Sequence, residues 1–433
     1  MLHIGTVLKK FTTDAFFRNS FIFFIGSGIA SAGGYVYQFL LAHMLSVEQY
    51  GVFQSLLSLV ALLSIASTAC SMVLVKYVAH FSAQQQIGKA YSLFLFFTKK
   101  LSLALIFLLG ILALFSAPMI RFLHLQSFSV LALLGGIIFI SVVQSINDGT
   151  MRGLHQFTGA SVISVIVTLL KIVFAWVFVR IGFAVNGALG ALIAAAAIGY
   201  ALSFIPLRHL FSRAQESIAI RPILRYFFPV LLAVLFSTAL YTIDVILVKH
   251  FFSTQAAGEY AALALLGHVV LFISGPLTAV MFPMTSAAFG KKENPNTIFI
   301  KTVLLTAASG AAVAGVYFCF SSVVIQTLVG EKFMAIQTLV GWFTIAMVFC
   351  ALINVYIQYF LSIHRVFCLF IVGVGIMAEI VAITLWHDTL WQVVMGLNAV
   401  MVALFLACVI YYVKVHKLNI CEEGRTNSAS NLS

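Results

Sequence analysis

Residues 157–207 read FTGASVISVIVTLLKIVFAWVFVRIGFAVNGALGALIAAAAIGYALSFIPL, and Lys171 and Arg180 are the only charges among them. Two apolar runs flank the short turn VRIGFAVNG. Each run is about 20 residues long, the length of a helix that crosses the hydrocarbon core of a bilayer. Inside lipid the backbone must satisfy its own hydrogen bonds, which leaves helices or a closed barrel. A barrel would alternate in and out over segments of roughly 10 residues. No such alternation is present.

The rest of the chain repeats this pattern. Of 433 residues, 62% are hydrophobic and 8% are charged, with a mean hydropathy of +1.11. Soluble domains carry about 25% charged residues, so a water-exposed globule is excluded. The pattern predicts an all-α integral membrane protein of about twelve transmembrane helices. They are expected at 20–42, 52–75, 91–117, 128–150, 157–179, 187–207, 226–248, 258–284, 298–320, 334–361, 366–386 and 390–413. The most polar internal connection, Arg208 to Arg225, divides the chain into lobes at 1–213 and 214–418. The small, polar tail 419–433 is expected to be disordered.

The net charge of +12 is a topology signal rather than a sign of nucleic-acid binding. On the N-terminal side of the membrane fall Lys9, Lys10, Arg18, Lys76, Lys89, Lys99, Lys100, Arg152, Arg208, Arg213, Arg221, Arg225, Lys291, Lys292, Lys301, Arg365, Lys414, Lys417 and Arg425. The other side holds Arg121, Arg180, Lys249 and Lys332. This asymmetry predicts that both termini are cytoplasmic. The N-terminus lacks a signal-cleavage pattern. The six cysteines show no CxxC pair and no metal-ligand spacing, and no cofactor is implied.

A shift of 207 residues superposes LAHMLSVEQYGVF (41–53) on VKHFFSTQAAGEY (248–260), within LVKHFFSTQAAGEY. It pairs His43 with His250, Ser46 with Ser253, Gly51 with Gly258, Phe53 with Tyr260 and Asn147 with Asn354. About six helices per half give both halves the same orientation. The expected relation is a pseudo-two-fold axis along the membrane normal.

At these residues the chain resembles the bacterial polysaccharide and O-antigen flippases of the multidrug, oligosaccharidyl-lipid and polysaccharide exporter superfamily. FLLAHMLSVEQYGVFQSLL is similar to that family's first helix pair. VKYVAHFSAQQQIGKA is similar to the end of its second helix and the loop that follows. Residues 151–195 resemble its fourth-to-sixth helix region. YTIDVILVKHFFSTQAAGEYAAL, with Asp244, resembles the start of its second half, and MFPMTSAAF supplies its eighth-helix proline as Pro283. The family usually has arginine where this chain has His43. The resemblance covers nearly the whole chain. It implies two lobes around a central cavity and alternating access. The implied cargo is a polyisoprenoid-diphosphate-linked oligosaccharide, moved from the cytoplasmic to the outer leaflet of the bacterial inner membrane for surface polysaccharide synthesis.

Ionisable side chains at membrane depth point to function. Lys171 lies near midplane on a small and polar stripe with Ser161, Ser164, Thr168 and Ala175, at helical spacings of 3 and 4. It is a candidate for attracting a diphosphate or acidic sugar; a structural ion pair and a snorkelling lysine are the competing readings. Glu379 lies at similar depth near the position equivalent to Lys171. A Lys171–Glu379 gate, a protonated Glu379 in a dry pocket and a static salt bridge all stay open. Asp244, on a face with Ser237 and Tyr241, is a candidate cation or proton site, against pairing with Lys249 or capping a loop. Gln38 (with Ser27, Ser31 and Gly34) and Asn354 with Gln358 (near Thr344) are candidates for sugar recognition or for close helix packing. Arg152 is expected to pair with Asp148 four residues earlier, or to meet an anionic headgroup. His268 reads as a packing residue, and Pro276 and Pro283 are expected to kink their helix.

No phosphate-binding GxxxxGK[ST] motif is present, so nucleotide hydrolysis is not expected. A membrane glycosyltransferase or glycan polymerase needs paired carboxylates, and Glu48, Glu259, Glu331 and Asp388 form no obvious pair. The nearer rival is a sodium- or proton-coupled exporter of small molecules. Lipid-linked oligosaccharide and membrane lipid are the expected partners. A coupling sodium ion or proton and docking glycan-assembly enzymes stay open, and nucleic acid is not expected.

Overall fold

The structure is a computed structural model that describes residues 15–116, 128–290, 294–363 and 365–430. Lys9, Lys10, Arg121, Lys291 and Lys292 lie outside the described residues, as do the side chains of Arg18, Pro283, Lys417 and Arg425. Every described element is helical.

The first half contains α1 (Ala15–Met44), α2 (Val47–Leu63), α3 (Ile65–Ala83), α4 (Ile87–Leu114), α5 (Phe128–Gly153), α6 (Phe157–Phe178) and α7 (Ala184–Phe211). The second contains α8 (Ile220–Ala239), α9 (Ile243–Phe251), α10 (Thr254–Gly267), α11 (Val269–Gly290), α12 (Asn296–Cys319), α13 (Ser321–Leu328), α14 (Val340–Ser362), α15 (Phe367–Leu385) and α16 (Leu390–Ser430).

Among the described residues ten helical stretches are long and apolar enough to cross a membrane. One of them, Phe157–Phe211, has 55 residues, enough for two crossings at about 1.5 Å per residue. It is the opening sequence stretch, folded back at a π turn, Val179–Phe183. Gly182 turns the chain there with a φ of +103°, where a side chain would be strained. Counting α1, which has 30 residues, the arrangement is that of about twelve spans.

Several expected helices are interrupted. The second begins at Val47, held by a capping box between Ser46 and Gln49, and breaks at Ser64. The expected span 226–248 is α8 and α9, separated by a turn at residues 240–242. The span 258–284 breaks at His268, whereas α11 is assigned as one helix through Pro276 and Pro283. α16 continues to Ser430, through the tail whose composition pointed to disorder. Extending an existing helix needs no new nucleus.

The chain forms two compact units. The first comprises residues 1–238, 252–262 and 327–332; the second comprises 239–251, 263–326 and 333–433. The first therefore includes α8, beyond the connection at Arg208 to Arg225. The sequence gives the reason: Ile218, Ile223, Tyr226 and Phe227 join a core with Val73, Phe94, Phe97 and Leu210. Lys76 Nζ also sits 3.4 Å from the centre of the Tyr226 ring.

Small residues set the close helix approaches in the first unit. A Cβ on Gly149 would fall 2.8 Å from the Ser71 carbonyl oxygen. Gly51 and Gly258, paired by the 207-residue shift, touch each other: a Cβ on Gly51 would lie 2.7 Å from the Gly258 Cα. In the same unit Lys332 donates to the carbonyls of His43 and Leu45 at the end of α1, where the helix dipole favours a cation. Burial pulls the Lys332 ammonium below its usual pKa. In the second unit α14 is the most buried of the long apolar helices and packs against α11, α12 and α16.

Candidate functional site

In the first unit α1 and α6 lie side by side in matching register. Gly26 meets Ser161, Gly33 meets Thr168 and Gly34 meets Lys171. A Cβ on Gly33 would come within 2.3 Å of the Thr168 methyl carbon. Ser161 and Thr168 are buried in this seam, where small residues let the two helices approach closely. Ser164 faces outward and is exposed.

Lys171 differs from its neighbours. It is half-buried, and a Cβ on Gly34 would lie 3.6 Å from its Nζ. Its ammonium lies over the Tyr37 ring, 5.5 Å from the centroid. Tyr37 is buried and donates its hydroxyl hydrogen to the Ala188 carbonyl at 2.9 Å. The adjacent Gln38 presents a buried side-chain carbonyl oxygen with no hydrogen-bond partner among the described residues. Lys171 and Tyr37 thus bring an ammonium and an aromatic face together, and Gln38 adds an unmatched acceptor one residue further along α1.

Arg152 pairs with Asp148 one turn earlier, as the spacing predicts, and also donates to Ser71 Oγ at 3.0 Å. Arg152 is therefore already engaged, although its Nε remains buried without a partner.

In the second unit Asp244 and Glu379 are fully buried. They are close enough to interact electrostatically, and both interact with Cys350. Neither Glu379 oxygen has a hydrogen-bond partner among the described residues. The turn between α8 and α9 lies beside them: the Cys350 thiol approaches the Leu240 carbonyl at 3.9 Å. His268, at the second helix interruption, stacks edge-on against Tyr241 of that turn, with ring centres 5.6 Å apart. Two helix breaks and two carboxyl groups therefore occupy one dry neighbourhood. Discontinuous helices in transporters expose backbone carbonyls that coordinate cations. Asn354 follows Cys350 by one helical turn on α14, and its side-chain oxygen is buried without a partner. Gln358 is half-buried, one turn further on.

The structure brings Asp244 together with Glu379, a pairing the sequence did not suggest. It places Lys171 in the other unit, on its own aromatic seat. Tyr37, Cys350 and the turn at 240–242 were missed. Tyr37 sits on the same turn as Gly34 and Gln38, but its apolar ring hides it in a hydropathy pattern. Cys350 looks like any buried cysteine. Two grooves are lined by none of these groups. One of about 580 Å³ runs along α15 and α16, lined by Phe367, Phe370, Val374, Gly375, Ala403 and Leu404. Another of about 540 Å³ is lined by Ser82, Gln85, Gly88, Arg213 and Glu216.

Comparison with known proteins agrees with this helical arrangement. The family described as polysaccharide biosynthesis protein matches residues 16–289, more than half of the chain. The chain belongs to the polysaccharide biosynthesis protein family. This family member is similar in structure to an inward-facing multidrug resistance MATE family transporter of the MOP superfamily, at 14% identity and a TM-score of 0.75, over 90% of this chain and 96% of that one. It is also similar to the lipid II flippase MurJ in an inward closed conformation, at 14% identity and a TM-score of 0.70, over 91% and 87%. A MOP superfamily transporter from Pyrococcus furiosus Vc1 (DSM3638) gives 17% identity and a TM-score of 0.60, over 92% and 95%. No curated protein matches the sequence. The family member is a multi-pass membrane protein with the fold of MOP superfamily flippases and transporters.

Proposed function

We propose that this protein moves a polyisoprenoid-diphosphate-linked oligosaccharide from the cytoplasmic to the outer leaflet by alternating access, in a bacterial inner membrane with both termini cytoplasmic. The family match over residues 16–289 carries this reading. Lys171 supports it chemically. An ammonium held at membrane depth without a carboxylate beside it among the described residues can attract a diphosphate or acidic sugar. Gln38, Ser164, Asn354 and Gln358 supply amides and a hydroxyl suited to sugars, Thr168 shapes the wall beside them, and Arg152 serves if an anionic group displaces Asp148. The isoprenoid tail stays in lipid, because it gains nothing from a charged cavity. Asp244 and Glu379 bind a coupling cation or proton, or hold the gate.

A second reading, sodium- or proton-coupled export of a small molecule, is favoured by the carboxyl pair beside the broken helix and by the likeness to the multidrug transporter. The deciding experiment is mass spectrometry of lipid-linked oligosaccharides in a strain lacking the protein, with surface glycan measured in parallel. Accumulated diphosphate-linked units with lost surface glycan support the flippase. Unchanged intermediates and unchanged glycan, with no redundant transporter, overturn it in favour of the exporter.

A further inference from the structure

We infer that Tyr37 is a positioning residue whose ring seats the Lys171 ammonium at depth while leaving its charge available to an anionic cargo. The role of that cargo rests on the flippase reading; the seat itself does not. A lysine has a long stem and a strongly hydrated head, and left alone it snorkels toward water. A carboxylate would hold it but would also neutralise it. An aromatic face holds a cation through its quadrupole without cancelling the charge.

The geometry suits this task. The Lys171 Nζ is 5.5 Å from the Tyr37 ring centre. The ring is rigid: it is 2% exposed, its hydroxyl is bonded to the Ala188 carbonyl at 2.9 Å, and it meets Phe53 edge-on at 6.0 Å. Tyr37 thereby ties α1 to α7 while its face supports a side chain from α6. Gly34, one turn earlier, leaves no side chain beside the Nζ. The seat thus closes the ammonium from one side and leaves it open where Gly34 withdraws.

Two measurements on the full-length purified chain test the inference. Reductive ¹³C-methylation labels the lysines and keeps their charge, and Lys171→Arg assigns the Lys171 signal. The ring current of Tyr37 should displace that signal. Tyr37→Leu should return it to the ordinary lysine position, and Tyr37→Phe should keep it displaced. A Lys171 signal unmoved by Tyr37→Leu overturns the seat.

The second measurement is binding of farnesyl diphosphate by calorimetry. Tyr37→Leu should weaken it about 2- to 10-fold, Tyr37→Phe should restore it, and Tyr37→Leu should add nothing once Lys171→Met is present. Additive losses overturn the positioning role and mark Tyr37 as merely structural. A displaced Lys171 signal in a parent chain that does not bind the probe supports the seat and counts against the diphosphate cargo.

Discussion

The two units treat buried charge in opposite ways. In the first, the Lys171 ammonium rests on an aromatic face and over a glycine, half-buried and with no carboxylate bonded to it. In the second, Asp244 and Glu379 are both fully buried and interact electrostatically, beside a broken helix. A cation on a π face stays charged and can attract an anion. Two carboxyls that share a dry site favour a proton or a cation beside them. The first arrangement suits recognition of an anionic cargo, and the second suits coupling. On the proposed function, binding and driving force fall to separate units of one chain.

The largest expected effect breaks the first side of this contrast. Lys171→Met keeps the length and apolar stem and removes the charge. Losing a charge-assisted contact of about 1.5–3 kcal/mol reduces cargo affinity roughly 10- to 100-fold. Surface glycan should fall accordingly at unchanged membrane level of the protein, measured by glycan staining beside an immunoblot. Normal export by a well-expressed variant removes Lys171 from the mechanism.

The second side is tested by Glu379→Gln. Neither carboxyl oxygen is bonded among the described residues, so a buried, unmatched group is replaced by a neutral one of the same shape. The melting temperature in detergent should rise slightly, by about 1 °C per kcal/mol gained in a chain of this size, while transport in proteoliposomes should lose its response to an imposed sodium or proton gradient. A full gradient response in this variant would sink the coupling role. Asp244→Asn should act in the same direction and, because the two groups share one neighbourhood, should add little to Glu379→Gln.

How much of this contrast was legible in the sequence differs between its two sides. Lys171, Asp244 and Glu379 stood out because an ionisable residue interrupts an apolar run, and that signal needs no fold. The helical architecture was legible for the same reason: apolar length and the asymmetry of basic residues are one-dimensional. Partnership is not. Asp244 and Glu379 are far apart in sequence, and nothing in either segment announces the other. The seat was hidden because Tyr37 counts as apolar in a pattern. The stripe Ser161, Ser164, Thr168 and Lys171 shared one sequence signature but split into different duties, since small polar residues serve helix packing and cargo lining equally well. Which duty each takes depends on the glycines of α1 opposite.

That split can be tested by Gly33→Ala, whose new methyl would fall 2.3 Å from the Thr168 methyl carbon. Helices held by such a small-residue seam have no side-chain freedom to absorb the overlap. The expected loss is about 1–3 kcal/mol of stability, read as reduced membrane yield and a lower melting temperature. Pairing it with Thr168→Ala removes the obstructing methyl and should restore both. If Thr168 serves only as a packing residue, the restored double variant also exports glycan normally. If Thr168 contacts cargo as well, stability returns and export does not.

The smallest effect is expected at Ser164, which shares the stripe but faces outward. Its hydroxyl has no packing duty to lose, so Ser164→Ala should change stability by less than about 0.5 kcal/mol. Any effect it has must come from cargo. Measured beside Thr168→Ala, it sharpens the comparison within a single helix. A fall in export at Ser164 with stability unchanged would extend the binding surface from Lys171 toward the N-terminal end of α6. Unchanged export would confine recognition to Lys171, Gln38 and the depth at which Tyr37 holds the charge.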